Sequence, residues 1–142
     1  MSRYAHAIFC DDIRYEIGNK HSLIGIYNGE MIAPEFPLLL PKLCVHTLIA
    51  TPIDQRFSSL SVQLLQDDVI VRSNELSFEE LDQMQTTMIS LPDRLGPGRL
   101  MVMGSQFFLT PFHTEAPTLL TVKYIADEVE FIAGRLGINS PS

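Results

Sequence analysis

The chain has 142 residues, 46% of them hydrophobic and 19% charged. That is a globular composition for about one domain, and it excludes a disordered or low-complexity polypeptide. No apolar run approaches the ~18 residues a membrane span needs, and the opening MSRYAHAIFCDD carries no apolar stretch followed by a small-residue cleavage site. With 10 basic against 17 acidic residues the formal net charge is −7, and the basic residues are scattered from Arg3 to Arg135. The basic stripe with which a nucleic-acid binder displaces counterions is therefore missing. These features predict a soluble, unexported protein that contacts neither nucleic acid nor membrane. Its two cysteines, Cys10 and Cys44, are expected as reduced thiols in a cytoplasm.

In chain order, Tyr4 to Phe9 and Ile13 to Ile17 read as strands, Gly18-Asn19-Lys20-His21 as a turn, and Ser22 to Tyr27 as a third strand ending at Asn28-Gly29. Leu38-Leu39-Leu40 sits between Pro37 and Pro41. Lys42 to Ala50 alternates with period two, Leu43, Val45, Thr47 and Ile49 facing one way and Cys44, His46 and Leu48 the other. Leu60 to Leu64 and Val69 to Arg72 form a hairpin around Gln66-Asp67-Asp68. Ser77-Phe78-Glu79-Glu80 matches a capping box, which predicts a helix of about two turns through Gln85 with Phe78, Leu81 and Met84 on its apolar face. Leu91 to Arg99, with two prolines and two glycines, reads as a loop.

Leu100 to Leu109 is a strand that Gly104-Ser105 is expected to bend or split. Leu119 to Ile125 and Val129 to Ala133 make a second hairpin around Ala126-Asp127, and residues 139–142 read as a flexible tail. No repeat or linker divides the chain. About eight short strands with one helix predict a single domain over residues 1–142, an all-β, mainly antiparallel, two-sheet sandwich, with a partly open barrel as the alternative.

Several polar groups carry potential chemistry. His6 and Cys10 share one side of their strand, and if it lies beside the strand of Cys44 and His46, two thiols and two imidazoles face each other, the ligand types of a structural zinc. The spacing is not that of a zinc knuckle, and the expectation is no metal and no cofactor. A thiol enzyme would use Cys10 as nucleophile, His6, His46 or His113 as base, and Asp11 or Asp12 to orient it. No helix terminus or glycine elbow accompanies Cys10, and adjacent aspartates are explained by turn hydrogen bonds. Asp67-Asp68 and Asp127-Glu128 offer too few carboxylates for calcium and read as solvated turns. Gly96-Pro97-Gly98 lacks the length and the Lys-Ser/Thr of a phosphate-binding loop. Consecutive apolar residues at Leu38-Leu39-Leu40 and Phe107-Phe108 are either buried on both faces or part of a contact patch, for which Leu38, Leu39, Phe108 and Phe112 are the candidates.

The run Ala7-Ile8-Phe9-Cys10-Asp11-Asp12-Ile13-Arg14, then Asn19-Lys20, Ser22-Leu23-Ile24-Gly25-Ile26-Tyr27, Phe36-Pro37 and Leu40-Pro41-Lys42-Leu43 resembles a family of small bacterial proteins without an assigned function. The resemblance covers about the first third of the chain. It implies a bacterial or phage-borne cytoplasmic protein and carries no activity or cofactor with it. In this setting Asp11, Asp12 and Arg14 are expected to form a turn and ion-pair network. The leading expectation is a noncatalytic module acting through protein contacts, with another protein or with itself as a homo-oligomer. The alternatives are a metal- or thiol-dependent enzyme built on Cys10, Asp11, Asp12 and His6, and a small-molecule-binding sandwich.

Overall fold

A computed structural model describes residues 2–90 and 99–141. Among the described residues the fold is all-β with one helix. Its elements are β1 (Tyr4–Glu16), β2 (Lys20–Ile26), β3 (Glu30–Ile32), β4 (Leu38–Leu40), β5 (Leu43–Pro52), β6 (Leu60–Gln66), β7 (Val69–Glu75), α1 (Phe78–Ser90), β8 (Leu100–Leu109), β9 (Phe112–Thr114), β10 (Thr118–Ala126) and β11 (Val129–Asn139). They form a four-stranded sheet in the order β2-β1-β5-β8, a five-stranded sheet in the order β3-β11-β10-β6-β7, and a two-stranded ribbon of β4 and β9. All pairings are antiparallel except β11 with β3.

The period-two pattern places the core between the sheets. Leu43, Val45 and Ile49 of β5 and Met103, Phe107 and Leu109 of β8 meet Leu60, Val62 and Leu64 of β6 and Leu120, Val122 and Tyr124 of β10 in one apolar cluster. The sheets also meet where β1 and β11 cross. Gly134 approaches the Ala7 backbone so closely that a Cβ there would lie 3.1 Å from the Ala7 carbonyl oxygen. This contact curls the sandwich into the partly open barrel that the sequence leaves as its alternative, with a seam between β7 and β8, which each pair on one side only.

Several boundaries differ from expectation. The strands expected over Tyr4 to Phe9 and Ile13 to Ile17 are one strand, β1, because Asp11 and Asp12 stay extended and find partners beyond their own strand. Gly104-Ser105 does not divide β8, which pairs with β5 without a shift from Leu43↔Leu109 to Pro52↔Leu100. The register shifts fall instead at Val122/Lys123 and Leu64/Leu65. Both acidic hairpin tips are turns with Asp67 at φ 50° and Asp127 and Glu128 at 51° and 69°, the positive-φ geometry that suits a right-twisted hairpin. Asn139 does not belong to the tail. It pairs with Ile32, and its carbonyl accepts the Ala33 N–H at 2.8 Å.

The helix begins as expected, with Ser77 Oγ accepting the Glu80 N–H at 3.2 Å and Glu80 Oε1 the Ser77 N–H at 3.3 Å. It runs on to Ser90, and Arg99 donates to the Met88 and Ile89 carbonyls near its end. Phe78 is 67% exposed, whereas Leu81 and Gln85 are buried, so the packed stripe follows i, i+4 rather than reaching back to Phe78. The loop expected at Leu91 to Arg99 lies outside the described residues except for Arg99.

Candidate functional site

The strand adjacency on which the thiol and imidazole readings depend is present. β1 lies beside β5, Cys10 is directly opposite Cys44, and Ile8 is opposite His46. Beyond Cys10 the β1–β2 hairpin turns over the outer face of its own sheet. Ile13 and Leu23, paired across that hairpin, pack on Cys10 and Cys44 as a small second core, and the His21 ring lies 5.5 Å from that of His46. At the bend Gly25, with φ +69°, leaves room for the Asp11 side chain, and Tyr27 donates its hydroxyl to Asp11 Oδ1 at 2.6 Å. Burial and that hydrogen bond push the Tyr27 phenol up to about 12.

This arrangement works against a reactive thiol. Cys10 and Cys44 are fully buried and unbridged. Cys10 Sγ donates to the Asp12 carbonyl at 3.4 Å and Cys44 Sγ to the Asp11 carbonyl at 3.7 Å. Burial, with Cys44 alongside, pushes the Cys10 thiol up to about 11, and burial raises Cys44 as well. A catalytic cysteine needs the opposite, a thiolate reachable by substrate. Asp12 is committed to structure: Lys42 Nζ lies 2.7 Å from its Oδ1 and holds the carboxyl below its usual range, and the Ile13 N–H binds the same oxygen. Arg14, at 3.9 Å, is the looser partner. The expected Asp11, Asp12 and Arg14 network therefore runs through Lys42 and Tyr27, which the sequence reading did not assign to it.

His46 is half-buried and bonded to the Gln106 side chain at 3.1 Å. Burial and then the neighbouring His21 and His6 lower its pKa, so the ring is neutral near pH 7. Among the described residues no three His, Cys, Asp or Glu side chains are arranged to hold a metal ion. His113 lies on β9 next to Glu115, on a different sheet from Cys10. The acidic tips, expected as solvated turns, serve as anchors: Asp67 accepts from Thr118 Oγ1 and the Leu119 N–H, and Asp127 accepts from the Ser58 and Ser59 N–H groups and pairs with Arg3 at 2.7 Å.

The four contact candidates scatter. Phe112 is 5% exposed and packed in the chain's own core, which removes it from any surface, and Leu38 is half-buried against that core. Leu39 is exposed on the β4–β9 ribbon, and Phe108 is partly exposed beneath the Lys42 ammonium. A more continuous apolar surface lies on the outer face of the four-stranded sheet. Register stacks Tyr4, Ala50 and Val102 in one row, His6, Leu48 and Gly104 in the next, and Ile8, His46 and Gln106 in the third. Its signal was in the sequence, since Ile8, Leu48 and Val102 occupy positions that alternation sends outward.

The second concave feature is the seam. Where β7 and β8 diverge, Asn74 Nδ2 donates to Ser105 Oγ across the gap at 2.7 Å, and α1 flanks a cleft of about 320 Å³ floored by Leu60, Val62 and Met103. No sequence signal announces it, because its walls come from β6, β7, β8, β10 and α1. Comparison with protein-family models, with curated proteins and with solved structures found no match to this chain. Among the described residues no helix is long and apolar enough to cross a membrane.

Proposed function

We propose that this protein is a noncatalytic assembly module that pairs with a second copy of itself through the outer face of the four-stranded sheet. The observation that carries the reading is the composition of that face. Tyr4 and Val102 are each 48% exposed, Ile8 and Leu48 are half-buried, Ala50 is buried between Tyr4 and Val102, His46 lies against the His21 ring, and none of the nine positions in the three rows is Asp, Glu, Lys or Arg. A solvent face of an antiparallel sheet is normally polar, and a patch depleted in charge with an aromatic at its margin has the make-up of an interface centre. Because the patch holds no carboxylate, two copies of a chain of net charge −7 can meet there without bringing carboxylates together. A two-fold pairing sets the same face on itself, and a stable dimer of this kind buries about 1,000 Å² or more.

Size-exclusion chromatography with light scattering over a concentration series tests the reading. The wild type is expected to dimerise, and Leu48→Glu, which puts a carboxylate at the middle row, is expected to remain monomeric with an unchanged circular dichroism spectrum. A wild type that stays monomeric throughout, or a Leu48→Glu variant that still dimerises, overturns it.

A further inference from the structure

The seam cleft adjoins the outer face at Gly104, and the charge on its described lining is of one sign. Its volume of about 320 Å³ lies at the lower end of small-ligand sites. That is the space of on the order of ten water molecules. Leu60, Val62, Met84 and Met103 give it apolar walls, and its polar lining is Ser61, Asn74, Glu75, Glu80, Ser105 and Tyr124.

The proton inventory of that lining follows from the bonds already made. Thr47 Oγ1 donates to the Ser105 carbonyl at 2.8 Å, which uses the only proton the threonine has. The 2.6 Å contact between Thr47 and Tyr124 must then have the Tyr124 hydroxyl as donor, so the buried phenol can present only an acceptor lone pair elsewhere. Asn74 spends one N–H on Ser105 Oγ and retains its carbonyl oxygen and its second N–H, and Ser105 keeps its hydroxyl proton. Glu80 gives Oε1 to the Ser77 N–H and retains Oε2, and Glu75 adds a second carboxylate. Among the described lining residues there is no Lys, Arg or His. The donors that remain are neutral, whereas the only charges on the described lining are two carboxylates, an environment that favours a cation against an apolar floor and penalises an anion.

We propose that the cleft at the β7–β8 seam binds an ammonium group carried on an apolar stem, the stem lying against Met84 and Met103 and the ammonium between Glu75, Glu80 and Tyr124. The same chemistry is available from a free alkylamine and from the lysine side chain of a partner peptide.

Titration of the ¹⁵N-labelled protein with n-hexylammonium, n-hexanol and n-hexanoate at matched ionic strength, followed by amide chemical shifts, tests this. Saturable shifts at Glu75, Leu76 and Ser105 are expected with hexylammonium, weaker ones with hexanol and none with hexanoate. Glu75 is exposed, so Glu75→Gln should fold normally. It should weaken hexylammonium binding about tenfold, the cost of one charge-assisted contact, while Glu128→Gln, an equal charge loss at a hairpin tip, leaves it unchanged. The peptide acetyl-Leu-Lys-Leu-amide separates the two sources: tighter binding than hexylammonium assigns the cleft to a lysine side chain, and weaker binding assigns it to a free amine. Hexanoate binding as tightly as hexylammonium, shifts confined to other regions, equal weakening by both glutamine variants, or no saturable shifts with any probe overturns the proposal.

Discussion

Replacing Gln85 by leucine removes a fully buried amide and leaves its volume nearly unchanged. In the native chain Gln85 Oε1 accepts the Phe57 N–H at 2.7 Å and Gln85 Nε2 donates to the Phe57 carbonyl at 2.9 Å. One side chain thus satisfies both backbone groups of a buried residue and fastens α1 to the segment between β5 and β6. Leucine strands both groups, at about 1–3 kcal/mol each. Burial of the leucine side chain in place of the amide returns about 1–2 kcal/mol. The net loss is about 2–4 kcal/mol, which at about 3 °C per kcal/mol for a chain of this length lowers the melting temperature by roughly 6–12 °C. Urea denaturation with an unchanged slope and a lower midpoint is the assay.

Gln85→Glu sharpens the test through its sign. A neutral glutamic acid can reproduce both hydrogen bonds, whereas its carboxylate keeps the acceptor, loses the donor and is buried. The folded-state pKa is raised, so stability is fullest at low pH and declines as pH rises from the ordinary glutamate value near 4.3 through the raised one. A Gln85→Leu variant within 1 kcal/mol of the wild type, or a Gln85→Glu variant whose stability relative to wild type is flat from about pH 4 to 8, would refute the reasoning.

Three other expectations follow from the same geometry. Asp127→Ala should cost about 1–2 kcal/mol in a urea titration by releasing Arg3 and the Ser58 and Ser59 N–H groups. Burial opposes ionisation there, but the Ser59 N–H, Arg3 and the Ser58 N–H outweigh it and hold the Asp127 carboxyl below 3.8. Its contribution is therefore complete above pH 3.8 and fades as pH falls through the lowered value, so wild type and variant should converge in acid. Gly25→Ala puts a Cβ onto the Asp11 carboxylate at a backbone φ of +69° and should cost about 1–3 kcal/mol, and Asp11→Ala in the same chain should recover part of it. Cys10 and Cys44 should resist an aromatic disulfide reagent at pH 8 in the folded protein and react at once in urea. Fast labelling of the native chain would contradict the burial of both thiols.

What the sequence determined by itself is what depends on neighbours in the chain. Alternation placed β5 and β6, the Val, Thr and Tyr content placed β10, the turn residues placed the Asp67 and Asp127 hairpins, and the capping box placed the start of α1. Each rests on backbone geometry that a few adjacent residues control. The tertiary structure decided the rest. Asp11-Asp12 looked like a break between strands because two adjacent acids are poor strand formers, and only the distant Lys42 and Tyr27 keep them within one strand. Gln85 marked only the expected end of the helix, because a glutamine has no reason to face inward until an unpaired backbone residue lies opposite. The outer face was legible residue by residue but not as a surface, since strand order and register put Tyr4, Leu48 and Val102 together. The seam cleft lies where β7 and β8, the edges of their two sheets, meet without pairing, at the end of each sheet away from the close approach of β1 and β11. Which strand edges meet is set by the twist and packing of whole sheets, and no local pattern encodes it.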